Sequence, residues 1–148
     1  IPSHQGPDAQ SVDPELDVVT MAVKVPQTLS HLHYWNVRLT RQADKKEVIE
    51  AFQTSTRITL MSYNEGLVSN NTIKERYLDM GRPWGDMYEV ALWQDMLKVE
   101  GNELYYAYVV DNQAIVIPET IDAIRALTGI EESAERSIKK TNESLRII

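Results

Sequence analysis

The chain reads as an α+β protein, an antiparallel or mixed sheet covered by helices. Three observations predict this. Strand-type alternation and helix-type periodicity interleave in the order β-β-α-β-α-β-β-α-α, which is not the strict βαβ repeat of a parallel sheet. Glu100-Gly101-Asn102, between two apolar alternating segments, is a hairpin signal. No repeat, low-complexity tract or flexible linker divides the 148 residues, and 43% hydrophobic content is enough for one domain with its own core.

The first sixteen residues are polar and turn-forming, with Pro2, Gly6, Pro7 and Pro14 among them, and read as a loop that needs a larger body to pack on. From Asp17 the pattern changes. Val18, Val19, Met21, Val23 and Val25 predict a strand that Pro26 stops. His31 to Thr40 predicts a second strand, with His31, His33, Trp35, Val37 and Leu39 on one face and Leu32, Tyr34, Asn36 and Arg38 on the other. Asp44 and Glu47 have capping-box spacing and open an amphipathic helix through Val48, Ile49, Ala51 and Phe52.

Ile58 to Tyr63 reads as a strand. Asn70 or Asn71 is expected to cap a helix carrying Ile73, Tyr77, Leu78 and Met80, closed by Gly81 and Pro83. Met87 to Val99 reads as one long strand, and Leu104 to Val110 returns beside it. Pro118 belongs to the first turn of a helix through Ile121, Ile124, Arg125 and Leu127 that Gly129 stops. A last helix runs from about Ser133 to Leu145, with Ile138, Thr141 and Leu145 on one stripe.

Composition narrows the function classes. A net charge of −7 argues against a nucleic-acid-binding face, which needs clustered cations. No apolar run approaches the roughly 18 residues that span a bilayer, and no signal peptide is visible. A soluble, cytoplasmic protein with no membrane partner is expected. Zero Cys excludes disulfides, thiolate catalysis and Cys-based zinc sites within this chain.

Three His side chains are the first candidates for chemistry. His31 and His33 on one strand face can offer two imidazoles to a metal, with His4 or an acid as third ligand. A His-x-His pair arises easily by chance on a strand, and the expectation is no metal site. A general base needs a nucleophile in reach, and no activated Ser or Thr is signalled. No GxSxG, P-loop or GxGxxG occurs. Glu131-Glu132 and Asp44 to Glu47 read as solvated faces or helix N-terminal charges. Trp35, Trp84 and Trp93 read as core or interface anchors. The amides of Asp111-Asn112-Gln113 either close a turn or bond a ligand at the sheet's end; spacing favours the turn.

These segments, taken in order, resemble the archaeal (type II) phosphorylating glyceraldehyde-3-phosphate dehydrogenases. Pro2-Ser3-His4-Gln5-Gly6-Pro7-Asp8 resembles that family's PSHHGPD-type loop. Thr20-Met21-Ala22-Val23, then Val25-Pro26, Thr28-Leu29, His31 and His33, resemble its TMAV…VPTTLMHxH segment. Gly81-Arg82, Asp86, Tyr88-Glu89, Asn102-Glu103, Tyr105-Tyr106, Ile117-Pro118-Glu119, Ile121 to Ala126, Ser137-Ile138 and Lys140-Thr141-Asn142 follow its order to the carboxyl end. The resemblance implies that residues 1–148 are the carboxyl-terminal part of the catalytic domain, last helix included. It also implies that the nucleotide-binding half and the cysteine nucleophile lie outside this chain, which by itself is expected to be inactive.

The implied reaction converts glyceraldehyde 3-phosphate, phosphate and NAD or NADP to 1,3-bisphosphoglycerate, in glycolysis or gluconeogenesis, by a homotetramer. His31 matches the family's catalytic histidine, which would help ionise the thiol and take the hydroxyl proton as hydride departs. Gln5 and Gly6 match the substrate-binding pair, usually His-Gly, so a possible positive charge is missing beside the phosphate. Asn112 matches a cofactor-binding position usually held by Gln, with Asp111 replacing a usual His. His33 has no assigned role beyond orienting or packing. The last helix packs on the nucleotide-binding domain in this family, which would leave the stripe at Ile138, Thr141 and Leu145 orphaned here. The alternative is a non-catalytic interaction or oligomerisation module of the same fold.

Overall fold

The computed structural model describes residues 3–27 and 30–147. Its first element is a helix, α1 (Gln5–Val12), where turn-forming composition predicts a loop. The physical reason is position. Pro7 falls in the first helical turn, where its missing N–H has no partner to lose, and Asp8 sits where an acid favours the helix dipole. The predicted strand from Asp17 to Val25 does not join the sheet: only Met21 is a bridge residue, and the rest is extended chain. Its alternation is genuine, but Val19, Met21 and Val23 are 90%, 90% and 82% exposed. A strand needs a neighbour to pair with, and within the described residues this segment lacks a ladder.

The sheet begins at β1 (Ser30–Arg38). Helix α2 (Lys45–Gln53) follows, its Asp44 cap accepting from the Glu47 amide at 2.8 Å. Only half of the predicted capping box forms, because the Glu47 carboxylate goes to Arg41 instead. Next come β2 (Ile58–Met61) and α3 (Asn70–Asp79). Ser69, not an Asn, caps α3; it forms a reciprocal box with Thr72. The expected long strand from Met87 to Val99 is two pieces, β3 (Val90–Trp93) and β4 (Lys98–Glu100), separated by a tight turn at Gln94–Met96. In that turn the Asp95 carboxylate accepts from the Tyr63 amide at 2.8 Å. Both pieces pair with β5 (Glu103–Asp111), so the interruption is a kink along one edge of β5. Helices α4 (Val116–Thr128) and α5 (Ala134–Leu145) complete the chain, with Gly129 in the left-handed conformation at the end of α4 and Ser133 capping α5.

The strand order is β1-β5-β3-β2, with β4 also on β5. Only β2–β3 is parallel, so the sheet is mixed, as the α+β reading requires. Helix α3 covers one face, packing Ile73 and Tyr77 on Met61, Ala91, Trp93, Ala107 and Val109. Helix α2 covers part of the other, packing Val48 and Phe52 near Leu92, Leu104 and Tyr106. Trp93 is buried and donates its indole N–H to the Leu67 carbonyl at 2.6 Å. Trp84, by contrast, is 83% exposed, in a left-handed backbone conformation (φ 57°).

The two C-terminal helices are fastened differently. Among the described residues, neither apolar cluster takes a side chain from α4 or α5. Charged and hydroxyl groups join them to the sheet instead. Arg57, just before β2, pairs with Asp122 and Glu119 of α4 and donates to Asn142 of α5 at 3.1 Å. Asp122 also accepts from Ser137 at 2.6 Å and Thr141 at 2.7 Å. Burial would raise the Asp122 pKa, but the Ser137, Thr141 and Arg57 hydrogen bonds hold it below the ordinary value.

Thr141 is therefore buried between the helices, and the orphaned stripe lies on α4. Ile124, Leu127 and, beyond the helix, Ile130 are 53%, 87% and 73% exposed. The Glu131 expectation also changes. It is buried and accepts from Arg136 (2.7 Å), Lys140 (2.7 Å) and the Ser133 amide (3.1 Å), which pull its pKa from 4.5 to about 2.

Arg82 and Glu89 form a bidentate ion pair, the guanidinium 6% and the carboxylate 0% exposed. Arg82 also lies 4.7 Å from the centre of the Tyr77 ring and donates to the Arg146 carbonyl at 3.0 Å, so the pair ties α3, β3 and the end of α5 together. Burial and the Glu89 charge push the Tyr77 phenol up to about 12.

Arg82→Met removes the guanidinium that neutralises the buried Glu89 carboxylate, and in the polypeptide that carries this chain it is expected to cost about 3–5 kcal/mol, read from the urea midpoint. The Glu131 network gives a pH signature. The unfolded chain protonates this group near 4.5 and the folded one near 2, so its contribution is complete above pH 4.5 and lost as pH falls toward 2. Glu131→Gln is expected to lower Tm at neutral pH and to flatten the acid dependence within that window, measured by circular dichroism; an unchanged acid dependence would count against the network.

Candidate active site

The sheet brings His31 and His33 to one face because β1 pairs with β5 residue by residue. His31 is opposite Val110, His33 opposite Tyr108 and Trp35 opposite Tyr106. With a two-residue side-chain period, all six project to the same side. That is the face α2 covers toward the Arg38 end, through Val37, Phe52 and Tyr106. Toward the Ser30 end the cover stops, leaving His31 exposed and His33 half-buried.

The rings form a ladder. Phe52 meets Tyr106 at 5.4 Å between centroids, Tyr106 meets Tyr108 at 6.2 Å, and Tyr108 stacks on His33 at 4.8 Å with 14° between planes. Trp35 lies 6.4 Å from both tyrosines. The ladder ends at His31, whose ring is 5.8 Å from His33 and tilted by 56°. Burial first, and the nearby His31 second, lower the His33 pKa below 6.5, so this ring favours its neutral form. Burial likewise pushes Tyr106 up to about 12, with Tyr108 a second cause. Face and strand were legible in the sequence; Tyr108 as the partner of His33 was not, because the β1–β5 register spans some seventy residues.

The same register sets Ser30 opposite Asp111, which brings Asn112 to the His31 end of the sheet. Asp111 closes the turn, as spacing suggests, by accepting from the Gln113 and Ala114 amides at 2.9 Å each. It is 2% exposed and also pairs with Lys74 of α3 at 2.8 Å. Lys74 and those amides hold it ionised against its burial. Sequence reasoning missed Lys74, whose single charge on a mostly polar helix carries no signal. Asn112 is exposed, and its amide has no hydrogen-bond partner among the described residues.

Gln5 and Gly6 open α1, apart from this cluster. Among the described residues, the hydrogen bonds of α1 beyond the helix run to Ser3, Leu16 and Thr20, none to the sheet. Gln5 is exposed. Gly6 is buried and donates its amide to Thr20 Oγ1 at 3.2 Å; a Cβ there would sit 2.8 Å from that oxygen, so the site admits only glycine without displacing Thr20. His4, the third metal ligand considered, is 3.9 Å from Asp8 on the same helix. Among the described residues no three His, Cys, Asp or Glu side chains converge on one point. Ile1, Pro2, Thr28 and Leu29 of the motifs lie outside the described residues.

An exposed imidazole at the end of a ring ladder, at the sheet end that also carries Asn112, is able to exchange a proton with a bound molecule. The family model described as "Glyceraldehyde 3-phosphate dehydrogenase, C-terminal domain" matches residues 1–96. Similar curated proteins include three named glyceraldehyde-3-phosphate dehydrogenase. The one from Methanopyrus kandleri is 41% identical over all 148 residues, which span 42% of its length. That from Pyrococcus furiosus is 43% identical over 148 residues, 44% of its length. That from Pyrobaculum calidifontis is 44% identical over 147 residues, 42% of its length. The chain thus spans less than half the length of these relatives.

Because His31 is one of two causes that lower the His33 pKa, His31→Gln is expected to move the His33 titration upward while leaving it below 6.5, since burial remains. Imidazole proton shifts followed against pH by NMR read this directly; a His33 midpoint unmoved by the substitution would show that the two rings are not coupled.

Proposed function

The chain belongs to the glyceraldehyde 3-phosphate dehydrogenase C-terminal-domain family, and from that premise we propose that it is the carboxyl-terminal part of the catalytic domain of a phosphorylating dehydrogenase. The substrates are glyceraldehyde 3-phosphate and inorganic phosphate, the cofactor is NAD or NADP, and the assembly is a cytoplasmic homotetramer. The observation that carries the reading is His31. It is an exposed imidazole at the open end of a sheet face, at the position where the sequence resembles the family's catalytic histidine, in a chain that holds no Cys of its own.

In this reading His31 takes the proton from a thiol supplied by the rest of the polypeptide, returns it to the alkoxide oxygen formed when the thiolate adds to the aldehyde, and takes that hydroxyl proton back as the adduct is oxidised. An imidazole suits these transfers because it titrates near neutrality. Gln5 and Gly6 are placed at the substrate's phosphate, where the exposed Gln5 side-chain amide can donate and the missing side chain at Gly6 allows close approach of the backbone. Gln5 donates one neutral hydrogen bond where a His would add charge, so binding here depends less on pH than with the usual residue. Asn112 presents an amide able to pair with a carboxamide, as a nicotinamide requires. When bound, the dinucleotide supplies the hydride acceptor.

A second reading is favoured by the uncovered side chains of α4, with Leu127 87% exposed: an interaction module of the same fold without catalysis. One experiment separates the two. NAD(P)H formation from glyceraldehyde 3-phosphate and phosphate is measured with the longest natural polypeptide containing this chain and with its His31→Ala variant. The dehydrogenase reading expects turnover in the parent and a loss of about 10²–10⁴-fold in kcat in the variant, with the fold intact by circular dichroism. An active parent with an unaffected variant moves the base elsewhere, and an inactive parent favours the interaction module.

A further inference from the structure

We propose that His33 is a positioning residue: its ring, stacked on Tyr108, fixes the orientation of the His31 imidazole. The inference rests on the dehydrogenase reading for what His31 does, though not for how His31 is held. His31 has the problem of every exposed base. On a strand terminus in solvent, an imidazole samples several rotamers, and only a fraction of them aim a nitrogen at the reacting atoms. Among the described residues His31 makes no side-chain hydrogen bond, and its one ring contact is His33 at 5.8 Å. Orientation by a carboxylate or carbonyl partner, the usual device for a catalytic imidazole, is thus not what this side chain has among them.

The ladder supplies the alternative. Phe52 and Tyr106 join it to the apolar cluster under α2, so its lower rungs are fixed by core packing. Tyr108 and His33 are nearly parallel at stacking distance, 4.8 Å and 14°, which leaves His33 little freedom to turn. The His33 ring lies between His31 and Trp35 on this face of β1, 5.8 Å from the His31 ring, and so limits how far His31 can turn in that direction. The lowered pKa of His33, caused first by burial, is consistent with a role that needs no proton on its ring. Among the described residues, the titratable groups facing His33 are His31 on its own strand and Tyr108 on β5; Lys74 and Asp111 act on the opposite face. What His33 contributes is a flat, stacked surface, not a proton.

The test uses the longest natural polypeptide containing this chain, with His33→Ala, His33→Leu and His33→Phe. Loss of the flat ring in the Ala and Leu variants is expected to lower kcat about tenfold or more while KM for glyceraldehyde 3-phosphate stays within about twofold. The Phe variant restores a stacked ring without nitrogens and is expected to recover most of that loss. Tm for each variant separates a folding defect from a positioning one, and Leu, which keeps apolar packing on Tyr108, covers the case in which Ala loosens the strand. Three results overturn the proposal: kcat within about twofold of the parent for Ala and Leu; Phe as impaired as Ala, which would assign the role to the ring nitrogens; or a change in KM alone.

The carbon-bound imidazole protons of His31, observed by NMR, give a readout independent of turnover. They are expected to move in the Ala and Leu variants, and less in Phe. If the parent has no dehydrogenase activity, the proposed function fails, and these shifts decide the orientation claim alone: unmoved His31 resonances overturn it.

Discussion

β5 has neighbours on both edges along most of its length, and that single constraint determines which face His31 and His33 occupy. One edge is taken by nine consecutive residues of β1, the other by β3 and then β4. Because side chains alternate with a period of two, a slip of one residue in the β1–β5 pairing would carry His31 and His33 to the face covered by α3 and bring Leu32 and Tyr34 in their place. Tyr106 and Tyr108 guard the register. Their rings fill the space opposite Trp35 and His33, which the smaller Ala107 and Val109 on the other face could not do.

The way the C-terminal helices are attached is a second theme. A helix pair normally adheres to a sheet through apolar area, whose attraction has no preferred direction. Here Arg57, Asp122, Thr141 and Arg82 do that work, so the attachment is directional and each group has a designated partner. Desolvated ion pairs contribute less net stability than an apolar contact of equal size, but they tolerate few alternative arrangements. The outward side of α4 keeps its apolar residues free, consistent with a chain that spans less than half the length of its relatives.

Much of this was legible in sequence, for identifiable reasons. The β1 strand, the face shared by His31 and His33, the Asp44 cap, the hairpin at Gly101 and the two last helices rest on local spacing, and local spacing survives folding. The structure departs from local pattern where tertiary context decides. Val19, Met21 and Val23 alternate like a strand yet have no ladder, since alternation describes one face and not the partner that would meet it. Gln5 to Val12 became helical despite Gly6 and Pro7, because a helix start tolerates both. Glu131 looked like a solvated acid until Arg136 and Lys140 closed over it from α5. His31 and Asn112 are candidates through motif resemblance alone. Their common sheet end, and the stack of Tyr108 on His33, required the long-range register.

The three tryptophans occupy three distinct depths, and this gives the molecule an optical property of its own. Trp93 is 4% exposed with its indole N–H bonded to a carbonyl, Trp35 is 36% exposed beside two tyrosines, and Trp84 is 83% exposed in the loop before β3. A solvent-borne quencher therefore reaches them in the order Trp84, Trp35, Trp93. Intrinsic fluorescence resolves the chain into a surface signal from the Pro83–Gly85 loop, an intermediate one from the ring ladder, and a core signal that changes only when the sheet itself comes apart.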